Sequence, residues 1–129
     1  MQIDSIDHLV LTVANIERTV EFYSRVLGMK PIEFGNDRTA LAFGQQQINL
    51  HKAGEEISPH ARKPASGSAD LCMLTDIEIN AVAKWLGDCD VDIELGPVPR
   101  TGAQGPIDSI YLRDPDGNLL EISTYRTGS

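Results

Sequence analysis

Apolar residues along this chain recur in two rhythms, every second residue and every third or fourth, and the rhythms follow one another in the same order twice. Between Ile6 and Val13, Leu9, Leu11 and Val13 fall on one face of a strand and His8, Val10 and Thr12 on the other. Asn15 is placed to cap a helix, over which Ile16, Val20, Tyr23 and Leu27 form a stripe that Phe22 and Val26 widen. Gly28 stands where such a helix stops. Short strands are expected at 30–34, 39–43 and 46–52, with turns at Gly35-Asn36-Asp37 and at Gly44. Residues 53–68, with Gly54, Pro59, Pro64 and Gly67, read as a linker or long surface loop in which His60 is solvated.

The order then returns. A strand is expected at 69–75 and a helix at 77–86, carrying Ile79, Val82, Trp85 and Leu86 and stopping at Gly87. Val91, Ile93 and Leu95 alternate as a strand, and a Pro/Gly-rich connection from Gly96 to Pro106 leads into a hairpin over 109–124. Both halves read β-α-β-β-β. An internal duplication within one domain of 129 residues follows, with modules of about 4–53 and 68–126.

The hairpin holds the first chemical clue. Asp114-Pro115-Asp116-Gly117-Asn118 is a concentrated turn signal, and in the strand after it Glu121 alternates with Leu120 and Ile122. A strand-interior carboxylate is rarely buried unless it is paired or binds a metal. On this strand alone, an exposed Glu on the wet face of a hairpin is the simpler reading. The duplication adds weight, because it sets His8 opposite Asp70 and Asn49 opposite Glu121. His8, Asp70, Glu121 and either Asn49 or His51 then converge on one cavity if the modules pair pseudo-symmetrically. Imidazole with carboxylate is a normal ligand mix for a divalent transition metal. Singly, His8 reads equally as a hydrogen-bonded core histidine, Asp70 as a capping group and His51 as a rim residue.

Composition narrows the partners. With 11 Lys and Arg against 19 Asp and Glu, the net charge of −8 disfavours nucleic acid and anionic membranes. No apolar run approaches a transmembrane length and no basic-then-apolar leader opens the chain. Cys72 and Cys89 are too few for a disulfide scaffold, so free thiols in a reducing cytoplasm are expected.

The motifs DHLVLTV, FYSRVLGM and YLRDPDGNLLEI, in that order, resemble the vicinal oxygen chelate superfamily, which includes glyoxalase I, extradiol dioxygenases, fosfomycin-resistance enzymes and bleomycin-resistance proteins. INLHKAG, ASGSADLC and GPVPRTGAQGPI resemble its branch of glyoxalase domain-containing protein 5. The resemblance implies an α+β fold, two βαβββ modules forming a cupped, incompletely closed eight-stranded barrel. It also implies one divalent metal ion (Zn, Ni, Mn or Fe(II)), a small-molecule substrate chelated to it, and a homodimer.

Carried over residue by residue, His8 matches the family's ligand on the first strand and Glu121 the carboxylate after the DPDGN turn. Where most metal-binding members have His this chain has Asp70, and where glyoxalase I has Glu it has Asn49, with His51 further along the same face. The expected metal set is His8, His51 and Glu121, with Asp70 a fourth ligand or the acid/base. Asn49 cannot serve as a general base, which sets ordinary glyoxalase chemistry aside unless Asp70 takes that role. Lyase or isomerase-like chemistry, dioxygenase chemistry, and sequestration of a ligand without turnover as in bleomycin-resistance proteins stay open. Arg100 is a candidate grip on a substrate carboxylate or phosphate, or a solvated loop arginine. Tyr111 is a candidate cavity wall, or core.

Overall fold

A computed structural model describes residues 1–126. The chain divides into two compact units, Met1–Ser68 and a second beginning at Ala69. The first contains β1 (His8–Val13), α1 (Ile16–Arg25), β2 (Lys30–Phe34), β3 (Arg38–Phe43) and β4 (Gln46–Lys52). The second contains β5 (Asp70–Leu74), α2 (Ile79–Asp88), β6 (Leu95–Gly102), β7 (Gly105–Arg113) and β8 (Leu119–Tyr125). The two βαβββ modules expected from the spacing are present. Their sheets run β1-β4-β3-β2 and β5-β8-β7-β6, with β1–β4 and β5–β8 parallel and the remaining pairs antiparallel.

Local chemistry explains why α1 begins and ends where it does. Asn15 is extended (φ −142°), and its side chain accepts from the Arg18 N–H at 2.9 Å. At the other end Gly28 adopts φ +68°, so that the Met29 N–H returns to the Tyr23 carbonyl at 3.1 Å. Phe22, Tyr23 and Val26 are buried over Leu11, Val13, Leu41, Ile48 and Leu50 on one face of the first sheet. In the second unit Ile79, Val82 and Leu86 of α2 are buried with Ile110, Leu112, Leu120 and Ile122. Each such side chain contributes about 1.5–3 kcal/mol on leaving water. One face of each sheet is thereby committed to its helix, and polar residues collect on the other.

Three boundaries differ from the sequence reading, one of them the strand expected over Val91, Ile93 and Leu95: residues 91–94 are irregular and the strand begins only at Leu95. α2 starts at Ile79, because the Glu78 carboxylate caps it by accepting from the Asn80 and Ala81 N–H groups at 3.0 and 3.3 Å, and it runs through Gly87 to Asp88. The stretch expected as a Pro/Gly-rich connection is strand β6, and β7 starts at Gly105 rather than 109. β6 tolerates Pro97 and Pro99 because it is an edge strand with an irregular register between Leu95 and Val98. Gly96 is required there: at φ +116° a Cβ would lie 2.5 Å from the Ser109 carbonyl oxygen.

Candidate functional site

The DPDGN turn is a clasp built from side chains. Oδ1 of the buried Asp114 accepts from the backbone N–H groups of Asp116 and Asn118, each at 2.9 Å, and Oδ2 accepts from Asn118 Nδ2 at 2.7 Å. Asn118 Oδ1 in turn accepts from the Ala69 N–H at 2.9 Å, tying the start of β5 to the start of β8. Asp70 opens β5 directly after this tie.

Glu121 follows on β8, opposite Cys72 of β5 and Tyr111 of β7, on the face turned from α2. Asp70 pairs with Leu119, two positions from Glu121, which puts the two carboxylates about 7 Å apart along the strands on one face. Glu121 is half-buried, and its Oε2 accepts from Ser123 Oγ at 3.3 Å. Ser123 and Ser109 are fully buried, with Oγ atoms 2.6 Å apart, and the Cys72 thiol lies 3.2 Å from Ser123 Oγ. Although Cys72 is exposed, desolvation of its sulfur pushes the thiol up, opposed by the Ser123 hydrogen bond and helped by the charge of Glu121.

Arg100 and Tyr111 meet. Arg100 lies on β6 rather than in a loop; it pairs with Ile107 and shares the face of Ser109 and Tyr111. Its Nε donates to the Tyr111 hydroxyl at 3.0 Å, its NH1 donates to the Pro99 carbonyl at 3.0 Å, and its guanidinium carbon sits 5.5 Å from the Tyr111 ring centroid. Tyr111 is half-buried rather than core.

In the first unit the corresponding face carries His8, Val10 and Thr12 from β1 and Gln47, Asn49 and His51 from β4. His8 is exposed, and its Nδ1 lies 2.9 Å from the Asp7 carboxylate, which in the neutral ring leaves the lone pair on Nε2. Asn49 is buried, with its Oδ1 taken by Gln47 Nε2 at 2.7 Å. His8 pairs with Gln47 and His51 with Thr12. The two imidazoles therefore stand four positions apart, about 13 Å along the strands. That is further than two parallel side chains close on one ion with bonds of about 2 Å.

His51 has other neighbours. It is 5% exposed and its Nε2 is buried without a hydrogen-bond partner, a state that costs about 1–3 kcal/mol. Burial, with Arg38 and His60 adding, holds its pKa below the usual histidine range, while Glu56 opposes weakly. A recess of about 320 Å3 adjoins it, lined by Val10, Thr12, His51, Pro59, His60, Ala61 and Pro64. His60 is exposed, as expected, and also lines this recess, with its Nδ1 2.8 Å from the Ala61 carbonyl oxygen. No local sequence signal marks this: where a loop settles depends on the surface beneath it. The two serines behind Glu121 were equally unmarked, although the alternation of β7 and β8 places them on its face.

The Glyoxalase/Bleomycin resistance protein/Dioxygenase superfamily model matches residues 5–122. This chain belongs to that superfamily. Virulence protein STM3117 of Salmonella typhimurium is 54% identical over 97% of this chain and 87% of its own length. Its crystal structure superposes with a TM-score of 0.96, covering 98% of this chain and 100% of that one at 53% identity. Glyoxalase domain-containing protein RDO1 of Mycosarcoma maydis is 48% identical over 98% of this chain and 71% of its length. Metallothiol transferase FosB of Staphylococcus saprophyticus is 30% identical over 95% and 78%. The glyoxalase fold of the superfamily accounts for both modules.

Each face carries donors of a type that divalent ions take, imidazole in the first unit and carboxylate in the second. His8 is oriented by Asp7, Glu121 by Ser123, and Asp70 stands beside Glu121. Among the described residues no three His, Cys, Asp or Glu side chains form a metal cluster. No helix among them is long and apolar enough to cross a membrane.

Proposed function

We propose that this chain is a divalent-metal-dependent enzyme of the superfamily, acting on a small oxygenated molecule chelated to the ion by lyase, isomerase-like or dioxygenase chemistry. The observation that carries this reading is the Asp70–Glu121 pair on one sheet face, held by the turn clasp and backed by buried serines. His8, Glu121 and Asp70 are the proposed ligands. His51 is left out because its register position keeps it from sharing an ion with His8. The ion, of the Zn, Ni, Mn or Fe(II) class, supplies Lewis acidity toward vicinal substrate oxygens. Asp70 is also the carboxylate assigned to take and return a proton. Arg100, held by Tyr111 and Pro99, grips a substrate carboxylate or phosphate with its remaining edge. FosB, named a metallothiol transferase, supports the metal part of the reading.

A homodimer in the cytoplasm completes the proposal; Leu74, Ile77 and Leu95 of the second unit are exposed apolar surface that a second copy would cover. Light scattering checks that part, with a monomer at working concentration counting against it. Sequestration of a ligand without turnover is the second reading, favoured by the recess beside His51. Metal analysis of protein purified without chelator or nickel affinity, then a substrate screen with each candidate metal, separates the two. Stoichiometric metal with turnover supports the enzyme; metal-free protein that binds ligand supports the binder.

A further inference from the structure

We propose that the recess beside His51 is a subsite for an uncharged, mainly apolar group that ends in a hydroxyl, such as a phenol or a cyclic alcohol. The proposal rests on the first unit alone and needs no metal. Its walls are Val10, Pro59, Ala61 and Pro64, with Thr12, His51 and His60 as the polar groups, and its volume of about 320 Å3 suits a small ring system.

The wall chemistry selects the ligand. No carboxylate, ammonium or guanidinium is among the lining residues, so a charged ligand would be buried without a direct partner. A cation is further disfavoured by Arg38. Among the described residues two buried side-chain polar atoms lack a partner, Ser24 Oγ and His51 Nε2, and only the latter belongs to a residue lining this recess. In the tautomer that leaves Nε2 unprotonated, a ligand hydroxyl donates to it, which an ether cannot do. His51 and the 59–64 segment line the same recess, so a ligand seated there meets the imidazole if that segment yields, and this movement is part of the proposal.

Titration of the metal-free protein with phenol, cyclohexanol, anisole and benzoate, followed by backbone amide shifts at Thr12 and Ala61, tests this. Phenol and cyclohexanol should bind saturably, and phenol about tenfold more tightly than anisole, which cannot donate. In His51→Phe the preference for phenol over anisole should vanish. Ala61→Trp, which fills the recess and leaves His51 intact, should abolish binding of both and covers the case in which His51→Phe does not fold. No saturable binding by the wild type, equal affinity for phenol and anisole, or tighter binding of benzoate overturns the proposal. Repeating the phenol titration in His8→Ala and Glu121→Ala keeps the two readings apart: those variants remove the proposed ion ligands and should leave phenol affinity unchanged.

Discussion

Replacing Asn118 by Ala removes two hydrogen bonds at the point where β5 and β8 are tied together. One is the neutral bond from the Ala69 N–H to Asn118 Oδ1 at 2.9 Å, and the other is the charge-assisted bond from Asn118 Nδ2 to Asp114 Oδ2 at 2.7 Å. A neutral bond contributes about 0.5–1.5 kcal/mol and a bond to a charged group about 1.5–3, so the loss should be about 2–4.5 kcal/mol. Asn118 is 1% exposed and Asp114 5%, so water does not readily replace the amide and the upper half of that range is expected. For a chain of this size that is a fall in Tm of about 8–15 °C. Urea denaturation should show a lower midpoint with an unchanged slope, since the surface exposed on unfolding is the same. A loss below about 1 kcal/mol would show that the clasp is not what holds the turn. Asp70 follows Ala69 directly and Glu121 lies just beyond Asn118, so the same variant should loosen the carboxylate pair.

Further outcomes follow from the same geometry. Asp70→Asn should weaken metal affinity about 10–100-fold and, at saturating metal, still lower kcat by about 10²–10⁴-fold; full recovery at saturating metal would make Asp70 a ligand only, and lost turnover with metal affinity intact a base only. Tyr111→Phe, which takes away the acceptor for Arg100 Nε, should raise KM more than it lowers kcat once a substrate is found, and an unchanged KM would return Arg100 to a surface role. Because the folded state holds His51 below its ordinary value of 6.5, the unfolded chain takes up a proton first as pH falls. The stability from neutral His51 is thus complete above about pH 6.5 and declines as pH drops through that value toward the folded pKa, and His51→Phe should flatten this part of the urea-midpoint profile.

The two halves were legible because their apolar periods change from two to 3.6 and back in the same order, and because DPDGN is turn chemistry at every position. The shared face of Asp70 and Glu121 was legible for the same reason: parity along a strand decides the side. Parity does not decide offset. His8 and His51 share a face by counting residues, but only the pairing of β1 with β4 reveals that four positions separate them. β6 was hidden by its prolines, which an edge strand admits and a central strand does not. The recess was hidden because its far wall is a loop whose resting place is set by packing.

Titration of metal-free protein with a divalent ion, read as stoichiometry and affinity in the wild type and in four single variants, tests the central claim most directly. The account predicts one tight site per chain in the wild type, lost in His8→Ala and Glu121→Ala, weakened in Asp70→Asn, and kept in His51→Phe. A wild type that binds no ion, or a site that survives loss of Glu121 but not of His51, would contradict it.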